Sequence, residues 1–250
     1  MNNNTPDLTG PGFFAMGLRT IFEPALRWFV LWPILINVVV FAGLAYWAVS
    51  QFSGWQASIV AGLPGWLSFL EYLLIPLFAI GAVLMVFFTF TVVGNFIAAP
   101  FNAILSEKIQ QREGARLPEM QLKDWLAMVP KSMAREFRKL CYYLPRAIAL
   151  IVLSFIPVIN LICPVLWFLF NGWMMALQYC DYPADNRQVS FNTMMARLKQ
   201  HNPQSWTLGA TVSLVMLIPF VNLVIMPAAV VSATLFWERR IETSKGEEGE

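Results

Sequence analysis

The chain of 250 residues has a single histidine, His201, and its three cysteines, Cys141, Cys163 and Cys180, stand far apart with no CxxC pair. That inventory offers no zinc or iron–sulfur spacing, so no metal is expected. Cys163 and Cys180 sit in apolar runs, where an inert buried thiol stands against a reactive one as the two readings. No GxGxxG and no GxxxxGK(S/T) stretch occurs, which leaves neither a dinucleotide nor an ATP site. No cofactor is expected, and an energised pump would need a separate ATPase subunit. Charge is scarce as well. Asp, Glu, Lys and Arg make up 13% of the chain, against about 25% in an ordinary soluble domain. The net charge of +2 is too small to point to nucleic acid.

Apolar residues fill the space that charge leaves. They make up 58% of the chain, and the mean hydropathy is +0.58. Between Trp28 and Ser106 the only acidic or basic residue is Glu71; 147–180 and 202–237 have none. A water-soluble domain cannot run 30 or more residues without a charged face, so the chain reads as an integral membrane protein. Residues 1–12 are polar and lack a basic start, so they do not read as a signal peptide, and insertion without processing is expected. The tail 238–250 is highly charged and reads as disordered and solvated.

Four apolar regions are of two kinds. Residues 28–50 would span about 34 Å as a helix, enough for a tilted crossing. Trp28, Trp32, Tyr46 and Trp47 stand toward its ends as interfacial aromatics. The link 51–71, with Gly54, Gly62, Pro64, Gly65, Trp55 and Trp66, reads as an interfacial loop or short lying helix. Residues 72–106 form the second long region, which Gly94, Asn95 and Pro100 are expected to disturb. The other two regions carry one phrase in their middles. Ile156-Pro-Val-Ile-Asn-Leu-Ile-Cys-Pro164 recurs as Ile218-Pro-Phe-Val-Asn-Leu-Val-Ile-Met-Pro227. Proline removes backbone donors and breaks a helix, so 147–180 and 202–237 read either as hairpins that dip in and return, or as long kinked spans. Repeated, interrupted segments point to a transport pathway. Asn160 and Asn222 then either line it or satisfy freed backbone groups at the turns.

Residues 107–146 hold nine of the seventeen Lys and Arg. Leu122, Leu126, Val129, Met133, Phe137, Leu140 and Leu144 recur at steps of three or four, while Lys123, Lys131, Arg135, Arg138 and Lys139 occupy other faces. The pattern fits a basic helix on the membrane surface, one packed against a neighbouring subunit, or a solvated face, with Pro130 kinking or splitting it. With two crossings and two hairpins, every positive charge falls on one side or its interface, which the positive-inside rule places in the cytoplasm. Arg27 follows Glu23-Pro24-Ala25-Leu26 at the start of the first span. A helix N-terminus beside a guanidinium can hold an oxyanion, and the competing reading is an anchor arginine that snorkels.

Several phrases together carry a resemblance: Phe96-Ile-Ala-Ala-Pro-Phe-Asn102, Tyr143-Leu-Pro-Arg-Ala147, Pro164-Val-Leu-Trp-Phe-Leu-Phe170 and Trp173-Met-Met-Ala-Leu-Gln-Tyr-Cys-Asp-Tyr-Pro183, followed by Asp185-Asn186. With the two Ile-Pro-x-x-Asn-Leu turns they resemble the CysZ family of bacterial inner-membrane sulfate permeases over roughly residues 13–240. The resemblance implies entry of sulfate, with sulfite as a second anion, for assimilation into cysteine. It implies an all-α membrane fold of two transmembrane helices, two hemi-penetrating re-entrant hairpins and an amphipathic extramembrane segment. It also implies homo-oligomers, including hexamers with subunits in opposed orientations, which conflicts with a single positive-inside orientation. The family's Gly-Leu-Arg-Arg sulfate stretch aligns with Ala25, Leu26, Arg27 and Trp28. Leu26 and Arg27 match, while Ala25 replaces glycine and Trp28 replaces the second arginine, so the site is weaker here or completed by another residue. The resemblance further implies that Asn95, Asn102, Glu107, Lys108 and Arg112 line the pathway.

The leading expectation is therefore a passive or gradient-coupled sulfate permease built as one membrane domain. Its segments are 1–27, the spans 28–50 and 72–106, the charged segment 107–146, the broken regions 147–180 and 202–237, and the tail. A non-transporting scaffold that recruits a cytoplasmic partner through its basic helix is the alternative. An intramembrane enzyme has little support, because Asp181 and Asp185 read as turn residues of a proline-bearing loop.

Overall fold

The structure is a computed structural model that describes residues 8–62, 71–118, 122–218 and 222–243. Among these residues every regular element is helical, as the all-α reading expects. The chain divides into two compact units, Trp28–Phe101 and the remainder, Met1–Arg27 with Asn102–Glu250.

The smaller unit contains most of α2 (Arg27–Ala61) and the first part of α3 (Glu71–Arg112). Its stretch Arg27–Gln51 is 25 residues long, its most apolar 18 residues have a mean hydropathy of 2.2, and by length and composition it can cross a membrane. Two expectations are corrected here. The helix does not stop near Ser50 but continues to Ala61. Gly54 costs a helix only about 1 kcal/mol, and the hydroxyls of Ser50 and Ser58 donate back to the carbonyls of Trp47 and Gly54 at 2.7 and 2.9 Å. Pro64, Gly65 and Trp66 lie outside the described residues. Likewise α3 runs unbroken through Gly94, Asn95 and Pro100, because one missing N–H does not outweigh a long ladder of intact bonds. An edge-on contact of Trp55 with Phe78, at 6.0 Å between ring centres, joins the two helices, and Trp47 meets Trp55 edge-on within α2 at 5.5 Å.

The larger unit holds α1 (Gly10–Thr20), the end of α3, α4 (Leu122–Ser154), α5 (Cys163–Asn186), α6 (Phe191–Gln200), α7 (Asn202–Val215), α8 (Asn222–Phe236) and a π-helical turn, Trp237–Glu242. Helix ends follow ordinary rules. Gly114, at φ +88°, closes α3 in a Schellman motif in which Ala115 N–H donates to the Gln110 carbonyl at 2.9 Å. Ser190 caps α6 by accepting from Thr193 N–H at 3.2 Å.

The repeated proline phrase is used in two ways. In the first copy the chain turns after Ser154, makes a short 3-10 turn at Ile159–Leu161, and starts α5 with Pro164 in its first turn. Val158 sits there at φ 73°, a conformation that strains a β-branched residue. In the second copy α7 ends at Val215 and α8 resumes at Asn222. Residues 219–221 lie outside the described residues. Pro227 is inside α8, so it does not break the helix as expected.

Helices approach closely through small residues. A Cβ on Gly209 of α7 would collide with the Gly172 carbonyl of α5 and come within 2.6 Å of Ala176 N; one on Gly17 of α1 would lie 2.7 Å from the Ala228 carbonyl of α8. Gly172-x-x-x-Ala176 and Ser205-x-x-x-Gly209 are the small-x-x-x-small pairs that let helix backbones meet in lipid. In contrast, Gly43 and Gly81 meet nothing within 4 Å.

The basic helix α4 divides its charges between the interior and the surface. Arg135 and Lys139 are buried, at 9% and 5% exposure, while Phe137, Leu140, Leu144, Ile148 and Phe155 are exposed, Phe155 at 82%. Arg135 and Lys139 thus turn inward, Arg138 and Arg146 stay exposed, and the apolar stripe faces outward. Pro130 leaves α4 continuous, whereas the side chains of 122–133 lie outside the described set.

Gly209→Leu is expected to destabilise the fold by at least about 1–3 kcal/mol through overpacking, while Gly43→Ala changes stability by no more than about 1 kcal/mol. Thermal unfolding of the detergent-solubilised protein checks both, and equal effects would refute the close-packing account.

Candidate functional site

The end of α3 carries a polar stripe into the core of the larger unit. Asn102, Ser106 and Gln110 recur at steps of four, which puts them on one helix face, and all three are buried. A polar face can be buried only where each group finds a partner. The Ser106 hydroxyl meets that of Thr234 on α8 at 2.9 Å. The Gln110 amide donates to the Pro183 carbonyl at 3.1 Å and to the Glu238 carboxylate at 2.7 Å, and its oxygen accepts from the Asn186 amide at 2.9 Å. Glu238 also holds Arg187 through two of its guanidinium nitrogens. Asn102 is hydrogen-bonded to Tyr182, whose hydroxyl is pushed up by burial against the opposing pull of that bond.

One residue before Tyr182 on α5, Asp181 gathers two cations from α4. Arg135 donates to it through Nε at 3.1 Å and through Nη2, and Lys139 Nζ lies 2.9 Å from its other oxygen. Arg135 Nη1 also donates to the Val189 carbonyl at 2.6 Å and lies 3.3 Å from Asp185. Lys139 adds Glu136 at 2.6 Å and Gln178 at 3.3 Å. Burial alone would push the Lys139 ammonium down, but Asp181 and Glu136 outweigh it and hold its pKa above the ordinary value. Asp181 and Asp185 therefore stand on the helix α5, engaged in ion pairs, and not in a loop as expected.

The residues singled out from sequence fall into separate places. Ala25 and Leu26 lie on a turn whose Glu23 carbonyl accepts from Leu26 and Arg27 N–H at 2.9 and 3.0 Å, and α2 starts at Arg27. Leu26 is buried, whereas Ala25, Arg27 and Trp28 are exposed. Arg112 joins this same turn: its Nη1 lies 2.6 Å from the Glu23 carboxylate. Glu107 is half-buried and accepts from Gln111 at 3.0 Å, and Lys108 is exposed. Asn102 belongs to the buried stripe, while Asn160 is exposed on the 3-10 turn, away from any such network. Asn95 and Asn222 have helical backbones, and their side chains lie outside the described set.

Sequence reading missed the ties made by Asp181, Gln110, Asn186 and Glu238, because their partners stand 42 to 128 residues away. It also missed Asn37, buried in α2, where a Cβ on Gly94 of α3 would lie 3.3 Å from its side-chain oxygen. The available signal was that Asn37 is the one amide side chain in the run 28–50, a costly residue at that depth.

Asp181→Ala leaves two buried cations without their carboxylate and is expected to cost about 3–5 kcal/mol. Adding Arg135→Met and Lys139→Met should recover most of it, since a buried ionic group exchanged whole for apolar side chains is near neutral. Thermal unfolding of both variants decides, and a loss under about 1 kcal/mol in the single variant would refute the role.

Comparison with known proteins places this architecture. The profile of the family described as sulfate transporter CysZ/etoposide-induced protein 2.4 matches residues 13–227. Proteins named sulfate transporter CysZ are similar over nearly the whole chain. That of Pseudomonas fluorescens is 52% identical, covering 94% of both chains. That of Pseudomonas syringae pv. tomato is 53% identical, covering 94% of this chain and 93% of the relative. That of Pectobacterium atrosepticum is 45% identical, covering 96% and 88%. The match thus spans the turn at Arg27, the polar stripe of α3 and the Asp181 cluster alike, and the chain belongs to the sulfate transporter CysZ/etoposide-induced protein 2.4 family.

Proposed function

We propose that this protein is a sulfate transporter embedded in the bacterial inner membrane. The observation that carries the reading is its close similarity, over nearly the full length, to proteins named sulfate transporters. The surface of α4 supports it, since a helix that buries Arg135 and Lys139 and exposes Phe137, Leu140, Leu144, Ile148 and Phe155 suits a lipid surround. On this reading 28–50 and 72–106 cross the membrane, 147–180 and 202–237 enter and return as re-entrant hairpins, and copies of the chain assemble into homo-oligomers up to hexamers. Sulfate, with sulfite as second substrate, enters for reduction and incorporation into cysteine. The scaffold alternative draws no support from α4, because two of the cations it needs for a partner are engaged inside the fold.

Arg27 is proposed as the anion contact. It stands exposed at the start of a long helix, where N–H groups and the dipole favour negative charge. Leu26, Ala25 and Trp28 shape the surrounding turn. Asn95, Asn102, Glu107, Lys108, Arg112, Asn160 and Asn222 are proposed to line the path beyond it.

Purified protein in proteoliposomes is expected to take up labelled sulfate faster than empty vesicles do, and equal rates would sink the transport reading. Arg27→Ala is expected to weaken sulfate binding by about 1–3 kcal/mol, the range for losing a charged hydrogen-bond partner. Titration calorimetry checks this, and unchanged affinity would remove Arg27 from the site.

A further inference from the structure

The turn that leads into Arg27 holds a carboxylate and a second guanidinium. Glu23 uses its carbonyl to accept from the N–H groups of Leu26 and Arg27, at 2.9 and 3.0 Å. Its carboxylate reaches away from the turn to Arg112, at the last residue of α3, at 2.6 Å. The two side chains are 40% and 56% exposed. A pair this wet is weak, because water and salt screen it and two long side chains must be held still. It is therefore exchangeable: another anion offered to the Arg112 guanidinium has little to displace. The buried ion pairs of the protein, by contrast, cannot be opened without leaving a charge in the core.

A tetrahedral dianion has acceptor oxygens on every side, and one guanidinium fork engages two of them at most. Trp28 follows Arg27 directly and offers no charge there, so a second cation must come from elsewhere in the fold. Arg112 is tied to this turn by the Glu23 carboxylate. A carboxylate presents to a guanidinium the same pair of anionic oxygens that an oxyanion would.

We propose that Arg112 is the second guanidinium of the Arg27 site, and that Glu23 is a built-in competitor that occupies it until a dianion displaces it. The proposal rests on the sulfate-transport reading and deepens it. It gives the site a selectivity device: a doubly charged oxyanion outbids the singly charged carboxylate, whereas chloride, with one charge and no fork geometry, does not.

The test is the sign of two substitutions. Sulfate uptake into proteoliposomes and thermal unfolding are measured for the wild type, Glu23→Gln, Arg112→Gln and the double variant. Removing the competitor in Glu23→Gln is expected to lower KM for sulfate about two- to fivefold, the range open to an exposed pair. Arg112→Gln is expected to raise KM about fivefold or more, and the double variant to match Arg112→Gln, since the competitor then has nothing to occupy. Tm should move by no more than about 2 °C in any of them, given how little an exposed pair contributes. A pair that only braces the fold moves KM the same way in both single variants. That result, or an unchanged KM in Glu23→Gln, overturns the proposal while leaving transport intact. If the wild type takes up no sulfate, the transport reading falls, and calorimetric titration of the same four proteins with sulfate still decides whether the two substitutions act with opposite sign.

Discussion

One carboxylate, that of Asp181, constrains most of the larger unit. A charge removed from water costs several kcal/mol unless it is paired and its remaining lone pairs are satisfied. Asp181 meets that requirement with Arg135 and Lys139, which come from another helix. The pairing has a geometric consequence. Once Arg135 and Lys139 point inward, residues on the other faces of α4 point outward, Phe137, Leu140 and Leu144 among them. The buried ion cluster thus dictates an apolar exterior, which water would not tolerate over such a length and lipid does. The Schellman turn after α5, in which Val189 N–H donates to the Ala184 carbonyl at 2.8 Å, brings the Val189 carbonyl to Arg135 and satisfies one more donor of the cluster.

The all-helical build and the long apolar stretch from Arg27 were legible in the sequence, because absence of charge over 30 or more residues is a signal of composition and needs no partner. Which side of α4 faces in was not. Periodicity separates the faces of a helix, but both water and lipid produce the same spacing, and only the surround decides which face turns outward. The Gln178–Pro183 phrase shows a related gap. It marked the family before its reason was visible. In the fold its residues are Gln178 on Lys139, Asp181 on two cations, Tyr182 on Asn102 and the Pro183 carbonyl on Gln110. Each tie spans dozens of residues, so no local pattern could reveal it. The proline phrase misled for a different reason: the same residues end one helix and sit inside another, because the effect of proline depends on whether it falls in a first turn or further on.

The candidate anion turn was legible to a lesser degree. Arg27 could be picked out by its position before a charge-free run. Glu23 and Arg112 could not be paired from sequence, because 89 residues separate them. The ends of α3 and the π-helical turn bring distant charges into register throughout this unit: Glu113 takes Arg239 through two nitrogens, at 2.7 and 2.8 Å, and Arg197 reaches Glu242 at 2.6 Å.

These pairs differ in one respect that sorts their roles. Asp181 with its partners Arg135 and Lys139 is buried, as is the Glu238 carboxylate, and separating such pairs would strand a charge at a cost of several kcal/mol. Such pairs hold shape and cannot be spent on a passing ion. The Glu23–Arg112 pair is half in water and is worth at most about 1 kcal/mol. On the transport reading proposed above, the rigid pairs keep polar groups inside an apolar exterior, and the weak pair is the one whose anionic half can be replaced. The strength of an ion pair, set here by its exposure, thereby separates what supports the fold from what is free to exchange.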